Sequence, residues 1–162
     1  MTMLVTATSL PPGHSETWPL THTLSLRAGP GSVPHARHYV SGTLVNWNFS
    51  GQMLSDAEIV TSELVTNAIQ ACQADRTTQL CPVRPITLFI RSNFVSAVIE
   101  IADPLHEPPQ PLEQAQVDAE GGRGLLLVEL FSASWGWYAT DDGKRVWATL
   151  VRGDCPHARH HG

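Results

Sequence analysis

The longest stretch of a single periodicity runs from Ser55 to Cys72, where Ile59, Val60, Leu64, Val65, Ala68 and Ile69 recur at helical spacing. An apolar face that broad needs an extended apolar partner, and sheets supply one. Ser55 with Glu58 three residues later reads as a capping box: the hydroxyl accepts from an orphan amide and the carboxylate reaches back. Upstream, Pro34 opens a second helical pattern carrying Ala36, Tyr39, Val40 and Leu44, which Gly51 ends.

Segments with a period of two surround these helices. Trp18 to Leu26 reads as a strand, placed at an edge by Pro19. Pro85 to Arg91 and Phe94 to Ala102 read as a hairpin about Ser92-Asn93. A short apolar helix, Leu125 to Phe131, precedes two closing strands, Ala133 to Ala139 and Arg145 to Val151, joined at Asp141-Asp142-Gly143. The order βααββ, loop, αββ predicts an α+β fold: a two-layer α/β sandwich whose mixed, mostly antiparallel sheet carries helices on one face.

Composition narrows the class. The 162 residues fit one domain, and 42% apolar residues suffice for a core. Charged residues make up only 15%, against ~25% in ordinary domains, which excludes a charge-driven disordered chain. Fifteen acidic against ten basic side chains leave a net charge of −5 and argue against direct nucleic-acid binding. Cys72, Cys81 and Cys155 are odd in number and share no motif spacing, so no disulfide framework is expected. The N-terminus lacks a basic signal region, and no run approaches the ~18 apolar residues of a membrane span. The expectation is a soluble cytoplasmic chain without membrane association. Residues 1–15 read as a flexible arm, 16–152 as the domain, and 153–162 as a His-rich tail that is solvated rather than zinc-bound. The Pro-, Gln- and acid-rich stretch 104–121 is too long to be an ordinary connector.

Three groups could carry chemistry. Glu63 and Asn67 lie four apart and share a helix face, pairing a carboxylate that can orient or deprotonate a nucleophile with an amide oxygen suited to Mg²⁺. Asp103 follows an apolar strand, where its carboxylate can accept from an exocyclic amine. Gly122-Arg123-Gly124 opens an apolar helix, whose free amides and positive dipole end favour an anion. Taken singly, each has a plain alternative: a solvated helix face, a turn-forming Asp before Pro104, an ordinary G-x-G turn. Trp135, Trp137 and Trp147 read as core or interface residues.

The order of E-L-V-T-N-A, V-I-E-I-A-D, a variable loop and G-G-R-G-L-L-L-V resembles the GHKL (Bergerat-fold) ATP-binding superfamily. Within it the chain is most similar to bacterial anti-sigma factor serine/threonine protein kinases. S-W-G-W-Y followed by G-K-R-V-W-A, with Pro34-His35-Ala36-Arg37, resembles their actinobacterial regulatory subgroup. The resemblance covers roughly 18–151. It implies ATP and Mg²⁺ as cofactors. Asn67 would hold the metal, Glu63 would act as general base on a protein serine, and Asp103 would accept from the adenine amine. Residues 104–121 would form the ATP lid, with Gly122, Arg123 and Gly124 against the phosphates. Implied partners are a sigma factor and a STAS-type anti-anti-sigma protein, with a homodimer as a further expectation. The chain departs from the pattern at Asp103-Pro104-Leu105, which lacks a glycine, at Arg145 in place of a pocket threonine, and at Ala71 in place of a histidine. Those departures motivate an alternative, a non-catalytic Bergerat-fold interaction module with weak or no ATP binding.

Overall fold

In the computed structural model the described residues are 10–13, 17–74, 85–109 and 124–153. They form β1 (Leu20–Leu26), α1 (Ser32–Asn46), α2 (Gln52–Ala74), β2 (Ile86–Ser92), β3 (Ser96–Asp103), α3 (Gly124–Phe131), β4 (Ser134–Thr140) and β5 (Gly143–Val151). The sheet order is β1-β2-β3-β5-β4. Every ladder among these strands is antiparallel. The fold is the expected α+β sandwich. β3 and β4 do run parallel, but β5 is inserted between them, so among the described residues the sheet has no parallel ladder of the mixed kind foreseen.

The sheet's two faces follow strand parity. Leu88 and Ile90 on β2, Ile99 and Ile101 on β3, and Val146, Ala148 and Leu150 on β5 turn toward the helices. They meet Val40 and Leu44 of α1, the α2 row Ala57, Val60, Leu64, Val65 and Ala68, and Val128 of α3 in one buried core. Trp135 and Trp137 pack against this core, whereas Trp147 is buried on the opposite face.

Several boundaries differ from the sequence reading for local reasons. α1 stops at Asn46 in a Schellman motif, before Gly51: Asn48 is left-handed (φ 64°), its amide donates to Val45 O at 3.0 Å, and the Phe49 amide donates to Leu44 O at 2.9 Å. α2 then starts at Gln52, so Ser55 and Glu58 lie inside the helix and form no cap. The first turn is instead tied by Gln52 Nε2 donating to Asp56 Oδ1 at 3.0 Å. β3 starts at Ser96 because Asn93 Oδ1 accepts from the Val95 amide at 3.1 Å and the Ser96 amide at 2.7 Å, extending the turn. Arg152 fastens this hairpin to the α1–α2 turn by donating to Phe94 O and Asn48 O while lying 4.1 Å over the Phe49 ring.

Most of the arm expected over 1–15 and all but Gly153 of the tail over 153–162 lie outside the described residues, as do 110–121 of the expected lid. Among the described residues no helix is long and apolar enough to cross a membrane. Cys72 is disulfide-bonded, although the three cysteines share no motif spacing and no disulfide framework was expected. Only Cys81 and Cys155 remain in the chain as partners, and both lie outside the described residues.

Candidate functional site

The core stripe of α2 points at the sheet, which leaves Glu63 and Asn67 half-buried on its flank. α3 packs against that flank, beginning at Gly124. A β-carbon at Gly124 would lie 3.0 Å from Glu63 Oε2 and 3.8 Å from Glu63 O. Glycine therefore lets the first turn of α3 close onto the Glu63 carboxylate. The amides of a helix start, which have no intrahelical partner, lie beside a carboxylate that is one helical turn from the Asn67 amide. Partial burial raises the Glu63 pKa above its ordinary 4.5, as suits a proton acceptor. Gly122 and Arg123, assigned to the same cradle, lie outside the described residues.

Asp103 ends β3 on the helix-facing side, in register with Lys144 of β5. Its Oδ1 accepts from Lys144 Nζ at 3.0 Å and from the Leu105 amide at 2.9 Å. Both charged side chains are only 1% exposed. Burial raises the Asp103 pKa, and the Lys144 ammonium and Leu105 amide offset this only in part.

Lys144 was missed in the sequence, where Arg145 drew attention instead. The signal was present: counting back from Leu150, Ala148 and Val146 by twos puts Lys144 on the inward face. Arg145 faces away from Asp103. On the side of the sheet opposite the helices it donates to Glu100 Oε1 at 2.8 Å and lies 4.3 Å over the Phe89 ring. Glu100 is fully buried there, and also accepts from Arg91 at 3.0 Å and from the Tyr138 hydroxyl at 2.7 Å. Burial and this carboxylate push the Tyr138 pKa up to about 12.

Oxygen donors from Glu63 and Asn67 beside a glycine-lined helix start are chemically suited to a hard cation whose remaining ligands come from phosphate and water. Among the described residues no cluster of three or more His, Cys, Asp or Glu could hold a metal by itself. The residues at this end fit a cation–polyphosphate pair.

A two-layer α+β domain with Glu63 of α2 against the start of α3 and Asp103 closing the central strand β3 defines the class: a Bergerat-type fold. A family model for the histidine kinase-like ATPase domain matches residues 26–150, and the chain belongs to that family. Among solved structures it is similar to the RsbU and RsbW domains of Rv1364c from Mycobacterium tuberculosis, with 14% sequence identity and a TM-score of 0.59. The match covers 82% of this chain and 32% of that one, so the chain spans about a third of that neighbour's length. At this identity the likeness establishes the fold. No curated protein matches the sequence.

Proposed function

We propose that the chain is an ATP- and Mg²⁺-binding regulatory domain of the anti-sigma factor serine/threonine kinase type. The Glu63 carboxylate held against Gly124 at the start of α3 carries this reading. The ordered motifs Glu63/Asn67, Asp103 and Gly122–Gly124 support it, as does membership of the ATPase-domain family. When bound, Mg²⁺-ATP supplies the transferable phosphoryl group and the charge neutralisation such a transfer requires. Asn67 offers its amide oxygen to the cation. The amides opening α3 donate to anionic oxygens, with Gly122, Arg123 and Gly124 completing the cradle. Glu63 takes the proton of a serine hydroxyl presented by a protein substrate, a role its raised pKa suits. Asp103 lies at the base-recognition end. The protein substrate is an anti-anti-sigma protein of the STAS type, the sequestered partner is a sigma factor, and the chain acts in the cytoplasm, with a homodimer as its assembly.

One observation favours a second reading, a non-catalytic interaction module: the acceptor at the base end already holds Lys144. Calorimetry separates the two. With ATP and Mg²⁺ the kinase reading predicts measurable binding that Asn67→Ala weakens by about tenfold, the loss of one hydrogen bond or ligand to a charged group. Equal affinity in the two proteins overturns it. No binding, alongside co-purification with a sigma factor that Glu63→Gln leaves unchanged, establishes the module.

A further inference from the structure

We propose that Lys144 is a built-in occupant of the base-recognition carboxylate, so this chain selects a nucleoside triphosphate through its phosphates and is indifferent to its base. The inference rests on the nucleotide reading above and specifies which part of the ligand is read.

A carboxylate that reads a base must offer an oxygen to a ligand's N–H. The Asp103 carboxylate is already engaged through one oxygen and is almost wholly buried. Its Oδ1 is filled by two donors, Lys144 Nζ and the Leu105 amide, at 3.0 and 2.9 Å. Neither side chain of the ion pair exceeds 1% exposure. The chain's own backbone closes the surroundings as well. Gly143 (φ 151°) approaches so tightly that a β-carbon there would lie 2.7 Å from Pro104 Cα and in hard collision with Asp103 O. Where a glycine would leave room for a planar base, Leu105 packs against the core.

An ammonium has three donors and no acceptor, so Lys144 can satisfy Asp103 but cannot imitate a base edge that both donates and accepts. A base reaching Asp103 Oδ1 must first displace a buried, hydrogen-bonded cation and leave it unpaired, and the 1% exposure of the side chain leaves little of Oδ2 open to it. That displacement costs more than the single hydrogen bond gained. The Glu63–Gly124 end is built from other elements, α2 and α3. Phosphate recognition thus survives where base recognition is blocked.

The test is a binding panel in Mg²⁺ buffer with ATP, GTP, CTP and inorganic tripolyphosphate, on the full chain and on Lys144→Ser, which removes the cation and leaves space for solvent beside Asp103. The proposal predicts that the four ligands bind the unmodified chain within about threefold of each other. It also predicts that Lys144→Ser strengthens ATP alone by about tenfold, one hydrogen bond to a charged acceptor. A preference of the unmodified chain for ATP by more than about threefold overturns the inference and leaves the nucleotide reading standing. So does a folded Lys144→Ser protein, verified by circular dichroism, whose ATP affinity moves no more than that for GTP. If the variant fails to fold, the panel on the unmodified chain decides alone. Binding of none of the four ligands to either protein removes the nucleotide reading and this inference together.

Discussion

Gly124→Ala separates the site from the fold. The added β-carbon meets Glu63 Oε2 at 3.0 Å, while its next contacts, with Glu63 O and Glu63 Cβ, are ordinary at 3.8 and 3.9 Å. The crowded atom is the far end of a flexible side chain, so the carboxylate yields by a few tenths of an ångström. Pushing it off its rotamer costs of order 0.5–1.5 kcal/mol. Replacing a helical glycine by alanine returns about 0.5–1 kcal/mol. Net stability should therefore change by less than about 1 kcal/mol, a melting shift of no more than ~4 °C for a chain of this size. Function should respond differently, because reacting groups tolerate little misplacement and ~1 Å can cost ~100-fold. We expect ATP-dependent phosphorylation to fall by about tenfold or more while the melting curve barely moves. Thermal denaturation by circular dichroism and a radiolabel transfer assay with an anti-anti-sigma substrate measure the two quantities. Unchanged transfer would refute the assignment of the Glu63–Gly124 contact to the site. A stability loss beyond about 2 kcal/mol would show that the glycine serves α2–α3 packing instead.

Other expectations concern single groups. The Glu63 pKa is raised on folding, so its contribution to stability is full below 4.5 and is lost as pH rises through the folded value. Glu63→Gln should remove that slope from a pH series of urea melts, and the acid limb of phosphoryl transfer should lie above 4.5. Tyr138, with its pKa pushed up to about 12 from 10.0, stabilises the fold fully below pH 10 and loses that contribution as pH rises toward 12. Ultraviolet titration of a Tyr39→Phe background should show this late ionisation, and Glu100→Gln should bring it down. Non-reducing peptide mapping should recover Cys72 linked to Cys81 or Cys155. By loop-closure entropy, Cys72→Ser should cost about 3 kcal/mol for the first linkage and about 4.5 kcal/mol for the second, and a free Cys72 thiol in mapping would refute the bond.

The sequence made the α+β order and the helix-facing residues of the strands legible because both are written as periodicity. The Ile99/Ile101 and Ala148/Leu150 alternations alone orient β3 and β5. The start of α2 was not legible. Ser55 and Glu58 satisfy the capping spacing, yet the Schellman closure at Asn48–Phe49 returns the chain three residues earlier. Glu63 and Asn67 were visible as a helix-face pair, but the approach of Gly124 to that carboxylate is a tertiary fact. Lys144 shows a different limit. Its inward parity could be counted, but its effect depends on β5 lying beside β3, and a pairing between strands so far apart in the chain has no local signal. Glu100 is similar: a lone acid within V-I-E-I-A reads as exposed until Arg91, Tyr138 and Arg145 converge on it.

The central claim is that an anion binds where α3 begins against Glu63. Amide chemical-shift mapping tests it most directly, using ¹⁵N-labelled protein titrated with a non-hydrolysable ATP analogue and Mg²⁺. The account predicts the largest shifts at the Gly124 and Leu125 amides and at the Asn67 side-chain amide, with Glu100 and Arg145 on the far face of the sheet unmoved. Shifts confined to the far face, or none at Gly124 under saturating ligand, would contradict it.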